Sequence, residues 1–227
     1  MPNTRSLFDS VAKNYDLLNT VFSIGRDRRW RKRLVKEIEG SRLILDIATG
    51  TAEVAVEVVN NNGNSQVVGL DPSSEMLLLG KKKISSTGLH KRIRLVQGVA
   101  EKLPFKDRVF DAITIAFGIR NTVDPINALI EMNRVLNRGG KLAILEFAVP
   151  QIKIFCPAYM FYLKNVLPFV GSFFGTRKEY KYLGDSISEF PQREGFLNIL
   201  TKAGYSVEKP IELMFGTVII YLGIKDG

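Results

Sequence analysis

The chain has 227 residues (25.5 kDa), 45% of them hydrophobic, and its 32 basic against 23 acidic side chains leave a formal net charge of +9. That length and apolar content exclude a disordered chain and suffice for a full core, most simply in one domain spanning 1–227, while the positive excess favours an anionic partner: nucleic acid, an acidic membrane surface or an acidic substrate. One cysteine, Cys156, and one histidine, His90, exclude an intrachain disulfide and offer no thiol and imidazole spacing for zinc, so no metal is expected and a reducing cytoplasm is the expected home.

In chain order, the N-terminus has neither a signal-peptide core nor an amphipathic basic presequence. Residues 6–39 read as helices, with Phe8, Val11, Ala12 and Tyr15 on one apolar face, forming an appendage over 1–40. Within it the basic run 26–33, RDRRWRKR, reads as a solvated helix face or a surface for anionic headgroups with Trp30 at the interface. From residue 43 the pattern alternates: strand 43–47, helix 53–59, strand 66–70, helix 74–83, strand 93–97, strand 110–117, helix 125–136 with Gly139-Gly140 as its stop, and strand 141–147. Such units build a parallel sheet with helices on both faces and gather ligands outside the carboxyl ends of the strands, here over 41–149. Residues 150–190 break the alternation with aromatics, prolines and glycines and read as a lid. A helix at 192–203 and a strand pair, 205–213 and 217–224, close the chain over 191–227. The most apolar window, 154–174, is interrupted by Pro157, Lys164, Pro168 and Gly171, and so reads as a surface-seeking cap, not a spanning helix.

The stretch Leu43 to Ala55, LILDIATGTAEVA, carries the first functional signal. An apolar strand ends at Asp46, a small-residue loop follows, and a second strand delivers Asp71 twenty-five residues later, where nucleotide-binding units place the carboxylate for ribose hydroxyls. Gly50 is the only glycine of that loop, too few for a pyrophosphate cradle, so a nucleoside cofactor without phosphates fits better. S-adenosylmethionine is such a cofactor, and Asp46 to Ala52 resembles the first motif of the class I methyltransferases, which implies a Rossmann-like α/β fold with a seven-stranded, mostly parallel sheet.

Further blocks narrow the resemblance. Tyr15-Asp16-Leu17-Leu18-Asn19, Ser23 and Trp30 resemble the N-terminal signature of the ubiquinone/menaquinone biosynthesis C-methyltransferase family, with Asp27 where that pattern usually has histidine. Arg134-Val135-Leu136, Gly139-Gly140-Lys141-Leu142 and Glu146 resemble its second signature, with Asn137, Arg138 and Ala148 as departures. Ala100 to Phe105, Phe117 to Asn121, and Tyr182-Leu183 with Ser186-Ile187 and Pro191 extend the match over nearly the whole chain. The resemblance implies a methyltransferase acting on a ring carbon of a prenylated quinol in menaquinone or ubiquinone biosynthesis. For the cofactor it implies Thr51 beside the methionine moiety, Asp71 on the ribose, Val99 and Ala100 against the adenine, and Ala116, where serine is frequent, after the fourth strand. Asp46, Ala48, Gly50, Pro72 and Met76 complete that set, and Tyr15 is expected to close over the sulfonium.

Methylating an aromatic carbon requires an electron-rich ring and an ionising hydroxyl. A phenol titrates near pH 10, so positive charge must stabilise the phenolate. Arg120, just past the fourth strand, is the expected group, with Asn121 beside it; a structural ion pair of Arg120 with Glu146 or Asp124 is the alternative. Asp27 or Glu146 would take the proton. Phe117, Tyr159, Tyr162 and Tyr182 are expected to line the quinol site, while His90 reads as solvated. Transient contact with an anionic membrane, peripheral to the cytoplasm, and a homodimer or biosynthetic complex are expected; nucleic acid is not, because FGIRN lacks the prolines of amino-group methylases. Another small-molecule, sterol-like or RNA methyltransferase, and a silent scaffold, are the competing readings.

Overall fold

The computed structural model describes residues 23, 25–173 and 177–226. Tyr15 and the apolar face around it lie outside these residues. The strands are β1 (Leu43–Ile47), β2 (Gln66–Asp71), β3 (Ile93–Gln97), β4 (Phe110–Ala116), β5 (Leu136–Phe147), β6 (Tyr205–Val207), β7 (Ile211–Leu213) and β8 (Val218–Lys225). They form one sheet in the order β3-β2-β1-β4-β5-β8-β6, with β7 also paired to β8. The first five strands are parallel, and β8 is antiparallel to β5. The sequence reading treats 205–213 as one strand. The structure divides it: Tyr205 pairs Lys225 and Ile211 pairs Ile220, so β6 and β7 lie end to end along one side of β8, and the eight strands occupy seven positions. Pro210 lies in the break and has no N–H to give a ladder.

Burial alternates along each strand and gives the sheet two apolar faces. Leu45, Ile47, Ile113, Ile115, Leu142 and Ile144 face helices α4 (Pro125–Val135) and α8 (Glu194–Lys202). Ile44, Ala112, Ala143 and Leu145 face α1 (Asp27–Glu37), α2 (Glu53–Asn61) and the end of α3 (Ser74–Ser86). Helix starts follow local chemistry. The Ser73 hydroxyl accepts the Met76 N–H at 3.1 Å, and Asp124 accepts the N–H groups of Ile126 and Asn127 ahead of Pro125 in the first turn.

Two expectations are corrected here. Helix α4 ends at Val135, one residue short of the expected 136, but the glycines do not stop it: Leu136 already has extended backbone (φ −71°, ψ 142°) and pairs with Phe110, so β5 begins there and not at 141, and Gly139 (φ +70°) turns the chain inside β5. Trp30 is not at an interface, because α1 turns it inward, where it meets Phe117 and Phe147 edge-on at 6.3 Å each. Its neighbours on the buried stripe are Leu34, Val35 and Ile38, at helical spacing.

Residues 150–190 are helical: α5 (Phe155–Phe161), a widened π turn (Tyr162–Val166), α6 (Leu167–Phe173) and α7 (Arg177–Glu189). Pro168 has no N–H to donate to the carbonyl four residues back, and the widened turn precedes it. Leu163, Leu167 and Ile187 form a small core of their own against Phe147, Val149, Tyr159 and Leu183.

Candidate active site

In a sheet of order 3-2-1-4-5 the chain reverses its direction of winding between β1 and β4, and a crevice opens beyond their carboxyl ends. A cavity of about 570 Å³ lies there, walled by the residues that follow β1, β2, β3 and β4. The size suits a small molecule with a nucleoside. Of the sequence-predicted cofactor residues, Ala48, Gly50, Asp71, Pro72, Met76, Val99, Ala100 and Ala116 line it, as do Phe117 and Asn121.

The loop after β1 is held in a demanding conformation. Ala48, Gly50 and Ala52 have φ of +51°, +54° and +67°, a region unfavourable for residues with a Cβ. Hydrogen bonds hold the loop there. Thr49 donates its hydroxyl to Asp46 at 2.6 Å and its N–H to the Leu70 carbonyl at 3.1 Å; the Gly50 N–H reaches Asp71 Oδ2 at 2.8 Å. The other Asp71 oxygen accepts the Ser73 N–H at 2.9 Å. Asp71 therefore ties the loops after β1 and β2 together at the cavity wall.

Asp46 and Thr51, expected against the cofactor, do not line the cavity. Asp46 is buried beneath the loop, accepting from Thr49 and, at 2.7 Å, from Thr114. Burial pushes its carboxyl up to about 6, against the opposing effect of the two threonine hydroxyls. Thr51 is buried and accepts from Lys83 Nζ at 3.2 Å.

The loop after β4 approaches the first loop closely. A Cβ on Gly118 would lie 2.5 Å from the Ala48 Cβ, which is sterically excluded. Gly118→Ala is therefore expected to push Ala48 into the cavity and weaken small-molecule binding about ten- to a hundredfold, the equivalent of a 1–3 kcal/mol overpacking cost. Ala48→Gly removes the clashing atom and suits φ +51°, so the double variant should recover binding in a calorimetric titration.

Next to the cavity, past Gly118, Arg120 and Glu146 form an ion pair whose side chains are 6% and 1% exposed. Arg120 also donates to the Phe117 carbonyl at 2.9 Å, and its guanidinium carbon lies 5.6 Å above the Phe147 ring, which stacks on Phe117 at 4.3 Å. Arg120 Nε and Glu146 Oε2 are buried without a hydrogen-bond partner among the described residues. Burial raises the Glu146 pKa, opposed by the adjacent guanidinium. The guanidinium thus turns to Glu146 and is not a cavity wall, the pairing that the sequence left open.

The expected substrate tyrosines lie on the lid side. Tyr182, on α7, donates to Asn121 Oδ1 at 3.2 Å and joins the lid to the cavity wall. Burial raises the pKa of both Tyr159 and Tyr182, and in each case the Arg120 charge works in the opposite direction. Tyr162 is half-buried on the same small core, with its pKa also raised by burial. Asp27 is not available as a base beside this group: it is buried on α1, accepting from Ser23 at 2.9 Å and pairing with Arg31 at 2.7 Å. Arg31 in turn reaches Glu53 of α2 at 3.6 Å. Gln97, Gly98, Thr122 and Val123 also line the cavity and went unread in the sequence; their positions at the ends of β3 and past β4 were the available signal.

The ubiE/COQ5 methyltransferase family matches residues 3–225. The chain is 44% identical over 224 residues to a ubiquinone/menaquinone biosynthesis C-methyltransferase of Geobacter sp. (strain M21), covering 97% of this chain and 95% of that one. It is 39% identical over 228 residues to a demethylmenaquinone methyltransferase of Chlorobaculum tepidum, at 97% and 91% coverage. Among solved structures it resembles a SAM-dependent methyltransferase from Aquifex aeolicus with a TM-score of 0.63 and 19% identity, covering 86% of this chain and 88% of that one, a likeness of fold. The chain belongs to the ubiE/COQ5 methyltransferase family.

Proposed function

We propose that this methyltransferase uses S-adenosylmethionine to methylate a ring carbon of a prenylated quinol, demethylmenaquinol or a demethylated ubiquinol precursor. The observation that carries the reading is the buried Arg120–Glu146 pair, with one donor and one acceptor left over, set between a nucleoside-sized cavity and an aromatic lid.

The residues present fit the cofactor. Asp71 stands on the cavity wall, its two oxygens accepting the Gly50 and Ser73 N–H groups, and its carboxylate is the kind of acceptor that ribose hydroxyls require. Val99, Ala100 and Met76 give an apolar surface for a base, and Ala48 and Gly50 leave room for the methionine chain. When bound, S-adenosylmethionine supplies an electrophilic methyl group on a sulfonium: a carbon–carbon bond to the ring forms, the carbon–sulfur bond breaks, and the ring carbon later loses its proton.

The chain's part is to make the ring nucleophilic and hold it in line. The Arg120 guanidinium, beside the cavity past Gly118, stabilises the negative charge that grows on the quinol oxygen, and the low dielectric around the pair strengthens that attraction. Glu146, with its pKa raised by burial, is the nearest carboxylate able to share the hydroxyl proton. Asn121 and Tyr182 orient the ring from the lid side, and Phe117 and Phe147 form an apolar floor that excludes water. The prenyl tail stays in lipid, with the protein in transient contact with the membrane.

Tyr182→Phe removes only the lid's hydrogen bond to Asn121. Steady-state methyl transfer to a short-tailed quinol should show the quinol KM rising about fivefold, as the loss of one hydrogen bond of roughly 1 kcal/mol implies, with cofactor affinity unchanged. Equal loss of cofactor affinity would remove Tyr182 from the quinol site.

The pH dependence follows from Asp46. With its carboxyl near 6, it is ionised above that pH and favours a nearby cation; below, it is neutral and the attraction is lost. Calorimetry is expected to show the Kd for S-adenosylmethionine rising about tenfold as pH falls from about 7.5 to about 5. Asp46→Asn should bind weakly at both ends of that range, without the change.

A further inference from the structure

We propose that the outer face of the lid, together with the turn before β8, is a docking surface for an anionic lipid bilayer; this gives the membrane contact of the reading above a place and an orientation. The helical stretch from α5 through α6 is apolar on both sides. Its inner side supplies Leu163 and Leu167 to the small core, whereas Ile154 and Phe161, seven residues apart and on one helix face, are 92% and 63% exposed. Phe169, eight residues on and past the widened turn, is 64% exposed. A helical stretch that shows apolar side chains on an outer side as well as an inner one is at home in a core or in lipid.

A second element joins it. Met214 and Phe215 both have positive φ, +48° and +58°, and the strained turn holds Phe215 out at 72% exposure, 6.1 Å from the ring of Phe155 at the start of the lid helix. Arg26, at the foot of α1, lies against the same turn, its Nη1 2.8 Å from Met214 Sδ. Exposed Arg28, Arg29 and Lys32 follow on α1.

Charge fixes the kind of occupant. The sequence has no acidic residue between Glu146 and Glu179 but four basic ones, of which Lys153 and Lys164 are exposed beside Ile154 and Phe161. Exposed rings rimmed by cations suit acidic headgroups over an acyl boundary, as in interfacial helices. Among the described residues no helix is long and apolar enough to cross a membrane, so the contact lies in the plane of the interface. The docked face is the outside of the lid whose inside carries Tyr159 and Leu163, so quinol drawn from the bilayer meets the lid first.

The test is co-sedimentation of the purified full chain, without quinol, on phosphatidylcholine vesicles and on vesicles with about 30% phosphatidylglycerol. Preferential binding to the anionic vesicles is expected. Ile154→Ser/Phe161→Ser/Phe215→Ser should weaken it at least about tenfold, and Lys153→Glu/Lys164→Glu should abolish the preference for acidic lipid. Both variants should methylate a soluble short-tailed quinol at the wild-type rate, which verifies their folding. Wild-type protein that ignores anionic vesicles, or an apolar variant that binds them equally well, overturns the proposal. So does a wild-type dimer in sedimentation velocity that the apolar variant dissociates, since the face would then belong to a second copy. Failure of turnover with intact vesicle binding would instead count against the quinol assignment.

Discussion

Arg120→Ala is expected to lower methyl transfer by about 100- to 1,000-fold, the usual cost of removing one preorganised donor at a developing oxyanion, and to destabilise the fold by roughly 3–5 kcal/mol, because it leaves a buried carboxylate unpaired. These two effects have different origins and separate in a second variant. Glu146 is 1% exposed and held at the end of β5, accepting the Phe147 N–H at 2.9 Å as well as the guanidinium. Replacing it by glutamine in the Arg120→Ala background removes the buried charge. Chemical denaturation of Arg120→Ala/Glu146→Gln should therefore recover most of the lost stability, while turnover stays at the level of the single variant or falls further. If turnover returned with stability, Arg120 would be a structural partner of Glu146 and the chemistry would lie elsewhere. Arg120→Lys is a finer probe: it keeps a positive charge and one nitrogen for Glu146 and the Phe117 carbonyl, both of which Nη1 bonds in the wild type, but removes the planar guanidinium and its remaining donors.

The second large effect concerns Asp71. Its two oxygens hold the Gly50 and Ser73 N–H groups at 2.8 and 2.9 Å, and the proposed ribose hydroxyls would add bonds to the same charged acceptor. Hydrogen bonds to a charged group contribute about 1.5–3 kcal/mol each, so Asp71→Ala should weaken S-adenosylmethionine binding by roughly 100- to 1,000-fold. Asp71→Asn retains one acceptor oxygen but places an NH2 group opposite one of the donors, and should lose nearly as much. Isothermal titration with the cofactor, and with its demethylated product, checks both. Near-wild-type affinity in Asp71→Ala would place the ribose on another wall of the cavity.

The parts of this architecture readable in advance were those encoded locally. Alternating apolar strands and amphipathic helices from residue 43 onward prescribe a parallel sheet, and the ends of β1 and β2 follow from the positions of Asp46 and Asp71 in that pattern. Asp46 shows the limit. A carboxylate at the end of a buried strand reads as a ligand-binding group, yet the hydroxyls of Thr49 and Thr114 capture it beneath the loop, and Thr114 comes from a strand 68 residues away. The Arg120–Glu146 pair is likewise a tertiary fact: Arg120 sits past the end of β4 and Glu146 within the last residues of the neighbouring strand β5, and composition gives no sign of which carboxylate the guanidinium chooses.

The basic run at 26–33 misleads for another reason. Its residues are almost all charged, so composition suggests a solvated face or a surface for headgroups; helical geometry instead rotates Trp30 into the core and Arg31 and Asp27, read as a candidate base, into a buried pair. Exposure of Phe215 depends on two residues with positive φ in a turn without a recognisable signature. Such features become visible only once the backbone is placed.

The most direct test of the central claim is an assay of the purified protein with S-adenosylmethionine and a chemically reduced, short-tailed demethylmenaquinone, beside a demethylated ubiquinone precursor, with products identified by mass spectrometry and fragmentation. The account predicts one methyl group gained on a ring carbon of a quinol, none with the oxidised quinone, and loss of that product in Arg120→Ala while the cofactor still binds. No product from either quinol, or a methyl group found on oxygen, would contradict it.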